Sequence, residues 1–125
     1  MQVSLVNTGV PHAVIFVDNL ESVEIDRLAR PIRYNSLFPK GTNVNIVNVT
    51  PDGILDIRTY ERGIEGETLS CGTGSVAAAV IAHRMGRTGN EVTVNTLGGI
   101  LNVTIENDLA FMEGPAVTVF NGTIP

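Results

Sequence analysis

Apolar and polar residues alternate in short runs through most of this chain, and one stretch is apolar on every side. The runs at residues 3–6 and 13–17 read as strands. Thr8-Gly9-Val10-Pro11-His12 between them reads as a turn, because proline fixes one dihedral and glycine frees another. Asp18-Asn19 and Ser22 offer caps for a helix over about residues 23–34, with Pro31 inside it or ending its regular part. Residues 36–42 form a loop containing Phe38-Pro39-Lys40-Gly41. Residues 43–50 alternate, with Val44, Ile46, Val47 and Val49 set among Asn43, Asn45 and Asn48. Pro51-Asp52-Gly53 then turns the chain, and residues 54–60 return as the second strand of a hairpin.

Residues 61–74 are polar and glycine-rich, whereas residues 75–85 are apolar and alanine-rich. From residue 76 to 85 there is no polar face until His83-Arg84, so this segment predicts a buried helix, with Gly86 as its end cap. The remainder reads as strands over residues 91–95, 100–106, 109–113 and 117–124, with turns at Gly98-Gly99 and Asn107-Asp108. About seven strands, one peripheral helix and one buried helix make an α+β fold, most naturally a sheet wrapped around the apolar helix. No repeat or linker interrupts residues 1–125, which form one domain.

Composition narrows the function. The net charge is −5 and the basic residues are scattered; Arg27, Arg30 and Arg33 recur at helical spacing behind acidic residues, which reads as a solvated helix face and not a nucleic-acid patch. A single cysteine cannot form an internal disulfide, which fits a reducing compartment. Met1-Gln2-Val3-Ser4 lacks the basic and apolar regions of a signal peptide, and no apolar run approaches the roughly 20 residues of a membrane span. The Asn-x-Thr triplets at Asn48, Asn102 and Asn121 then read as chance matches in strands. Cytoplasmic localisation is expected.

The candidate chemistry centres on Cys71. It stands between the polar loop and the buried helix, where first-turn N–H groups lack intrahelical partners and the helix dipole is positive. A thiol there ionises more easily than a free one. Buried free cysteines are common as small hydrophobes. The flanking Gly72 and Gly74 favour the other reading, because they let a ligand approach the backbone and leave N–H groups aimed at an anion such as a carboxylate. Gly72-Thr73-Gly74 lacks the spacing of a phosphate loop or a dinucleotide fingerprint, and His12 and His83 show no metal spacing, so no metal is expected. Glu61-Arg62 is either a solvated pair at a strand end or a carboxylate clamp. His12 in a turn and Asn43 at a strand entry are incidental by default and ligand donors only by context. These residue types alone support a small anionic ligand and thiol chemistry.

Together the motifs resemble the diaminopimelate epimerase family. The run Glu61-Arg62-Gly63-Ile64-Glu65-Gly66-Glu67-Thr68-Leu69-Ser70-Cys71-Gly72-Thr73-Gly74 is similar to that family's signature around its second catalytic cysteine. Thr8-Gly9-Val10-Pro11-His12, Phe38-Pro39-Lys40-Gly41-Thr42-Asn43, Thr96-Leu97-Gly98-Gly99 and Met112-Glu113-Gly114-Pro115-Ala116-Val117-Thr118-Val119-Phe120 match in order. Val10 departs from the pattern, since many members carry asparagine there.

The resemblance implies a mixed or antiparallel sheet curled as a barrel around one central helix. It also implies that residues 1–125 correspond to the C-terminal half of a two-domain isomerase whose N-terminal domain carries the other cysteine. Such enzymes interconvert LL- and meso-diaminopimelate, a precursor of lysine and peptidoglycan, without a cofactor. By resemblance Cys71 is catalytic, Gly72 and Thr73 give backbone donors, Asn43 and Arg62 bind the distal end of the substrate, and Glu61 and His12 orient it or set the thiol's ionisation. The chain alone is expected to be nearly inactive and to self-associate weakly, a second copy standing in for the missing domain. The rivals are a racemase of the same fold with another substrate, and a non-catalytic carboxylate-binding or assembly module.

Overall fold

The computed structural model describes residues 3–7, 11–39, 41–68, 72–106, 109–113 and 118–123. The strands are β1 (Ser4–Asn7), β2 (Pro11–Phe16), β3 (Asn43–Val49), β4 (Leu55–Glu61), β5 (Gly66–Thr68), β6 (Glu91–Thr96), β7 (Gly99–Glu106), β8 (Leu109–Glu113) and β9 (Thr118–Thr123). Two helices, α1 (Ile25–Arg33) and α2 (Gly72–Arg84), complete the elements. All the strands share one mixed sheet in the order β1-β2-β3-β4-β6-β7-β8-β9, with β5 beside β4.

Two neighbouring strand pairs are parallel, β2 with β3 and β4 with β6. A parallel pair needs a crossover, and α1 and α2 supply them. The crossovers cover opposite faces of the central strands. Val14, Val47, Leu55 and Ile57 pack with α2, while Ile15, Val44, Ile46 and Tyr60 pack with Ile25 and Ala29 of α1. The sheet curls on around α2, so that Val92, Val94, Val103 and Ala110 join the same core. The expected architecture, a curled sheet around one buried helix with a second helix outside, is the one observed.

Within α2, Val76, Ala77, Ala78, Ala79, Val80 and Ala82 are all buried. Consecutive residues are 100° apart around a helix, so burial of this run means enclosure on nearly all sides. The helix ends where expected: Gly86 has φ +74°, its N–H reaches the carbonyl of His83, and Arg87 N–H reaches Ala82, which satisfies the last carbonyls.

Several local expectations are corrected. His12 is not in a turn but in β2, which starts at Pro11; proline is tolerated as the first residue of a strand. Helix α1 starts at Ile25 behind Glu24, which makes no side-chain cap, while Ser22 Oγ donates to the carbonyl of Asn19 instead. Pro31 lies inside α1 near its end. Among the described residues there are nine strands where about seven were expected, and β5 is the one that lies in none of the predicted runs. Asn48 Nδ2 donates to the carbonyls of Val17 and Asp18, so this triplet asparagine ties the end of β2 to β3. No helix among the described residues is long and apolar enough to cross a membrane.

Candidate active site

Side chains alternate along a strand, so the face of β2, β3 and β4 that meets α2 carries His12, Val14 and Phe16; Asn43, Asn45 and Val47; and Ile57, Thr59 and Glu61. That face is apolar at one end and polar at the other. Register aligns the polar ends: His12 pairs with Asn43, and Asn45 with Thr59. The N-terminus of α2 sits over this polar end, with His12 Nε2 3.0 Å from Thr73 Oγ1.

The buried polar atoms are satisfied by one another. Thr59 Oγ1 donates to Asn45 Oδ1 at 3.0 Å, and Asn45 Nδ2 lies 3.2 Å from the Ala13 carbonyl and 3.1 Å from His12 Nδ1. His12, Asn45 and Thr59 are all buried. A buried polar group left unpaired costs about 1–3 kcal/mol, so the network selects one arrangement of side chains. Burial first, and the nearby Arg62 guanidinium second, lower the His12 pKa from 6.5 to about 4. The imidazole is therefore neutral at pH 7.

Asn43 Oδ1 accepts the backbone N–H of Arg62 at 2.6 Å, which anchors the strand end carrying Glu61-Arg62. The turn beyond is clasped from α1. Arg33 Nε donates to both Glu65 carboxylate oxygens, at 3.0 and 3.2 Å, and Nη2 adds a third bond. Glu65 sits in the left-handed region at φ 56°, and its carboxylate also accepts the Gly63 N–H. The Arg33 hydrogen bonds, foremost, hold the Glu65 carboxyl below its usual range. Arg33 also lies over the Tyr34 ring, 4.6 Å from its centroid.

Gly41 makes room for both arginines. Its φ is +83°, and a methyl group there would sit 1.9 Å from Arg33 Nη1 and 3.3 Å from Arg62 Cδ. Gly41→Ala is expected to cost about 1–2 kcal/mol from the left-handed backbone alone. It should also push the Arg33 guanidinium off Glu65. A double-mutant cycle in urea with Glu65→Gln checks this: Glu65→Gln should cost less in the Gly41→Ala background than in the native one.

The structure thus brings His12, Asn43, Arg62 and Thr73 to one end of α2, with Gly72 as its first residue. Glu61 closes β4, pairs with Gly66 of β5, and its carbonyl accepts the Glu65 N–H. Cys71, with Leu69, Ser70, Lys40 and residues 8–10 and 114–117, lies outside the described residues. Asn45, Thr59, Arg33 and Glu65 were not singled out as site residues by the sequence. Asn45 had one signal: it stands two residues beyond Asn43, on the same face of a strand whose other residues are largely valine and isoleucine.

The chain is similar to proteins of one family along nearly its whole length. The family model described as diaminopimelate epimerase matches residues 4–119. Among curated relatives, the diaminopimelate epimerase of Methanocella arvoryzae is 56% identical over 124 residues, covering 98% of this chain and 44% of the relative. That of Archaeoglobus fulgidus is 57% identical over 118 residues, covering 94% of this chain and 41% of the relative. The chain spans less than half the length of the curated relatives it matches. Among solved structures, a phenazine biosynthesis protein of the PhzF family from Enterococcus faecalis superposes with a TM-score of 0.63 at 15% identity, covering 82% of this chain and 36% of that one. A PhzF-family protein from Bacillus anthracis gives 0.59 at 21% identity, covering 90% and 40%. These two likenesses concern the fold; the sequence matches, which run through nearly the whole chain and its glycine-rich motif, carry the relationship, and the chain belongs to the diaminopimelate epimerase family.

Proposed function

We propose that this chain is the C-terminal half of a cofactor-independent diaminopimelate epimerase, a cytoplasmic enzyme that interconverts the LL and meso forms of diaminopimelate. The observation that carries the reading is the convergence of His12, Asn43, Arg62 and Thr73 at the N-terminus of α2, directly after Cys71 in the sequence. Inverting a carbon stereocentre without a cofactor needs a base on one face and an acid on the other. A cysteine thiolate removes the α-proton, and a thiol on the opposite face returns one to the carbon. Cys71 is one of the pair, and the N-terminal half carries the other.

Residues around the start of α2 fit the remaining roles. The first-turn N–H groups of Gly72 and Thr73 bind the α-carboxylate, where the helix dipole also steadies charge as it develops on the carbon acid. Arg62 supplies positive charge for the distal carboxylate, and Asn43 offers its amide NH2 there. Glu61 binds an amine or tunes its neighbours, and His12 orients the site. A base without its opposing acid cannot complete the inversion, so the chain alone is nearly inactive and at most a weak homodimer.

The test is α-proton exchange in deuterated water. The chain alone should show negligible exchange into diaminopimelate. Adding the N-terminal half of a close relative should restore it, and Cys71→Ala should abolish the rescue. Substantial exchange by the chain alone would point instead to a self-sufficient homodimeric racemase.

A further inference from the structure

The orientation of the Asn45 amide is fixed by what surrounds it. The Ala13 carbonyl can only accept, so the nitrogen end of the amide must face it. The Thr59 hydroxyl then donates to the oxygen end. A flipped amide would set two carbonyl oxygens against each other. With the amide so placed, its second N–H is aimed at His12 Nδ1, which must accept. An imidazole that accepts at Nδ1 carries its proton at Nε2, and that N–H is 3.0 Å from Thr73 Oγ1.

We propose that Asn45 is a positioning residue of this site, locking His12 into the neutral Nε2–H form, so that His12 anchors the first turn of α2. The chain of bonds runs from β4 through Thr59, Asn45 and His12 to Thr73, and every link is buried or half-buried. It ties three strands to the helix turn that follows Cys71. Protonation at Nδ1 would set two donors face to face. The tautomer stands on the geometry alone; its bearing on catalysis rests on the function proposed above.

Nitrogen-15 NMR of the histidine rings tests it on the chain by itself. His83 is the other histidine, and its Nδ1 lies 3.3 Å from the Thr88 carbonyl, so it should be an Nδ1–H ring. The spectrum at neutral pH should therefore show two rings of opposite tautomer, His12 with Nε2 protonated. Asn45→Asp replaces the donor with an acceptor and should move the His12 proton to Nδ1, or add a second one. Asn45→Ala is the second variant; it removes the donor to Nδ1 without adding an acceptor and should mix the His12 tautomers. A native His12 ring protonated at Nδ1 overturns the proposal, as does a His12 signal unmoved in both variants. If Asn45→Asp fails to fold, the Asn45→Ala spectrum decides. Activity is a separate readout: no exchange after the N-terminal half is added, with a normal native tautomer, would count against the epimerase reading and leave the lock standing.

Discussion

Replacing Ala78 with leucine is expected to destabilise the folded chain by on the order of 1–3 kcal/mol. Ala77, Ala78, Ala79 and Ala82 have no exposed surface, and the curled sheet meets α2 on nearly every side. Interiors are packed as tightly as organic crystals, so three added carbons at Ala78 have no void to enter. They must displace surrounding core side chains or move the helix, and moving the helix would disturb the His12–Thr73 contact at its start. Urea midpoints of Ala77→Leu, Ala78→Leu and Ala82→Leu check this. Unchanged midpoints in all of them would place α2 on a surface.

The enclosure of α2 was legible in the sequence because it needs no tertiary information. An apolar segment of helical length with no polar stripe can be stable only inside. The hairpin of β3 and β4 and the turn joining β6 to β7 were legible for the same reason: Pro51-Asp52-Gly53 and Gly98-Gly99 dictate local backbone, and Gly53 and Gly99 do take positive φ. Strand β5 was not legible. Gly66-Glu67-Thr68 has no apolar alternation and becomes a strand only because the turn held by Arg33 and Glu65 lays it along β4.

The candidate site divides along the same line. Its glycines, its charged strand end and its lone cysteine stand out by type, so Glu61, Arg62, Gly72 and Thr73 could be singled out as candidates. Asn43 and Asn45 are a harder case. In an alternating strand, asparagines opposite valines read as the solvent face. Here both faces of β3 are covered, one by α1 and the other by α2, and the asparagines are buried. Their partners, Thr59 and His12, depend on the register of three strands, which pattern alone does not set.

Acidification should expose the cost of that burial, and His12→Gln should remove the effect. The folded-state pKa of His12 is about 4, against 6.5 for an ordinary histidine. Above pH 6.5 the imidazole is neutral in both states, and its contribution is fully present. As the pH falls below 6.5 the unfolded chain binds a proton that the folded chain refuses, so unfolding becomes easier by up to about 1.4 kcal/mol per pH unit. The loss levels off near pH 4, where the folded state also takes the proton, at a total on the order of 3 kcal/mol. Glu65 acts in a lower window: Arg33 depresses its pKa below 4.5, so its contribution is lost as the pH falls below that value. The two are separated by measuring urea unfolding at intervals from pH 7.5 to pH 4 for the native chain and for His12→Gln. The native chain should lose stability more steeply between pH 6.5 and 4, with the difference closing at neutral pH to whatever the lost hydrogen bonds cost. Equal slopes would mean that His12 protonates as readily folded as unfolded, and that the ring is not buried beside Arg62 in solution.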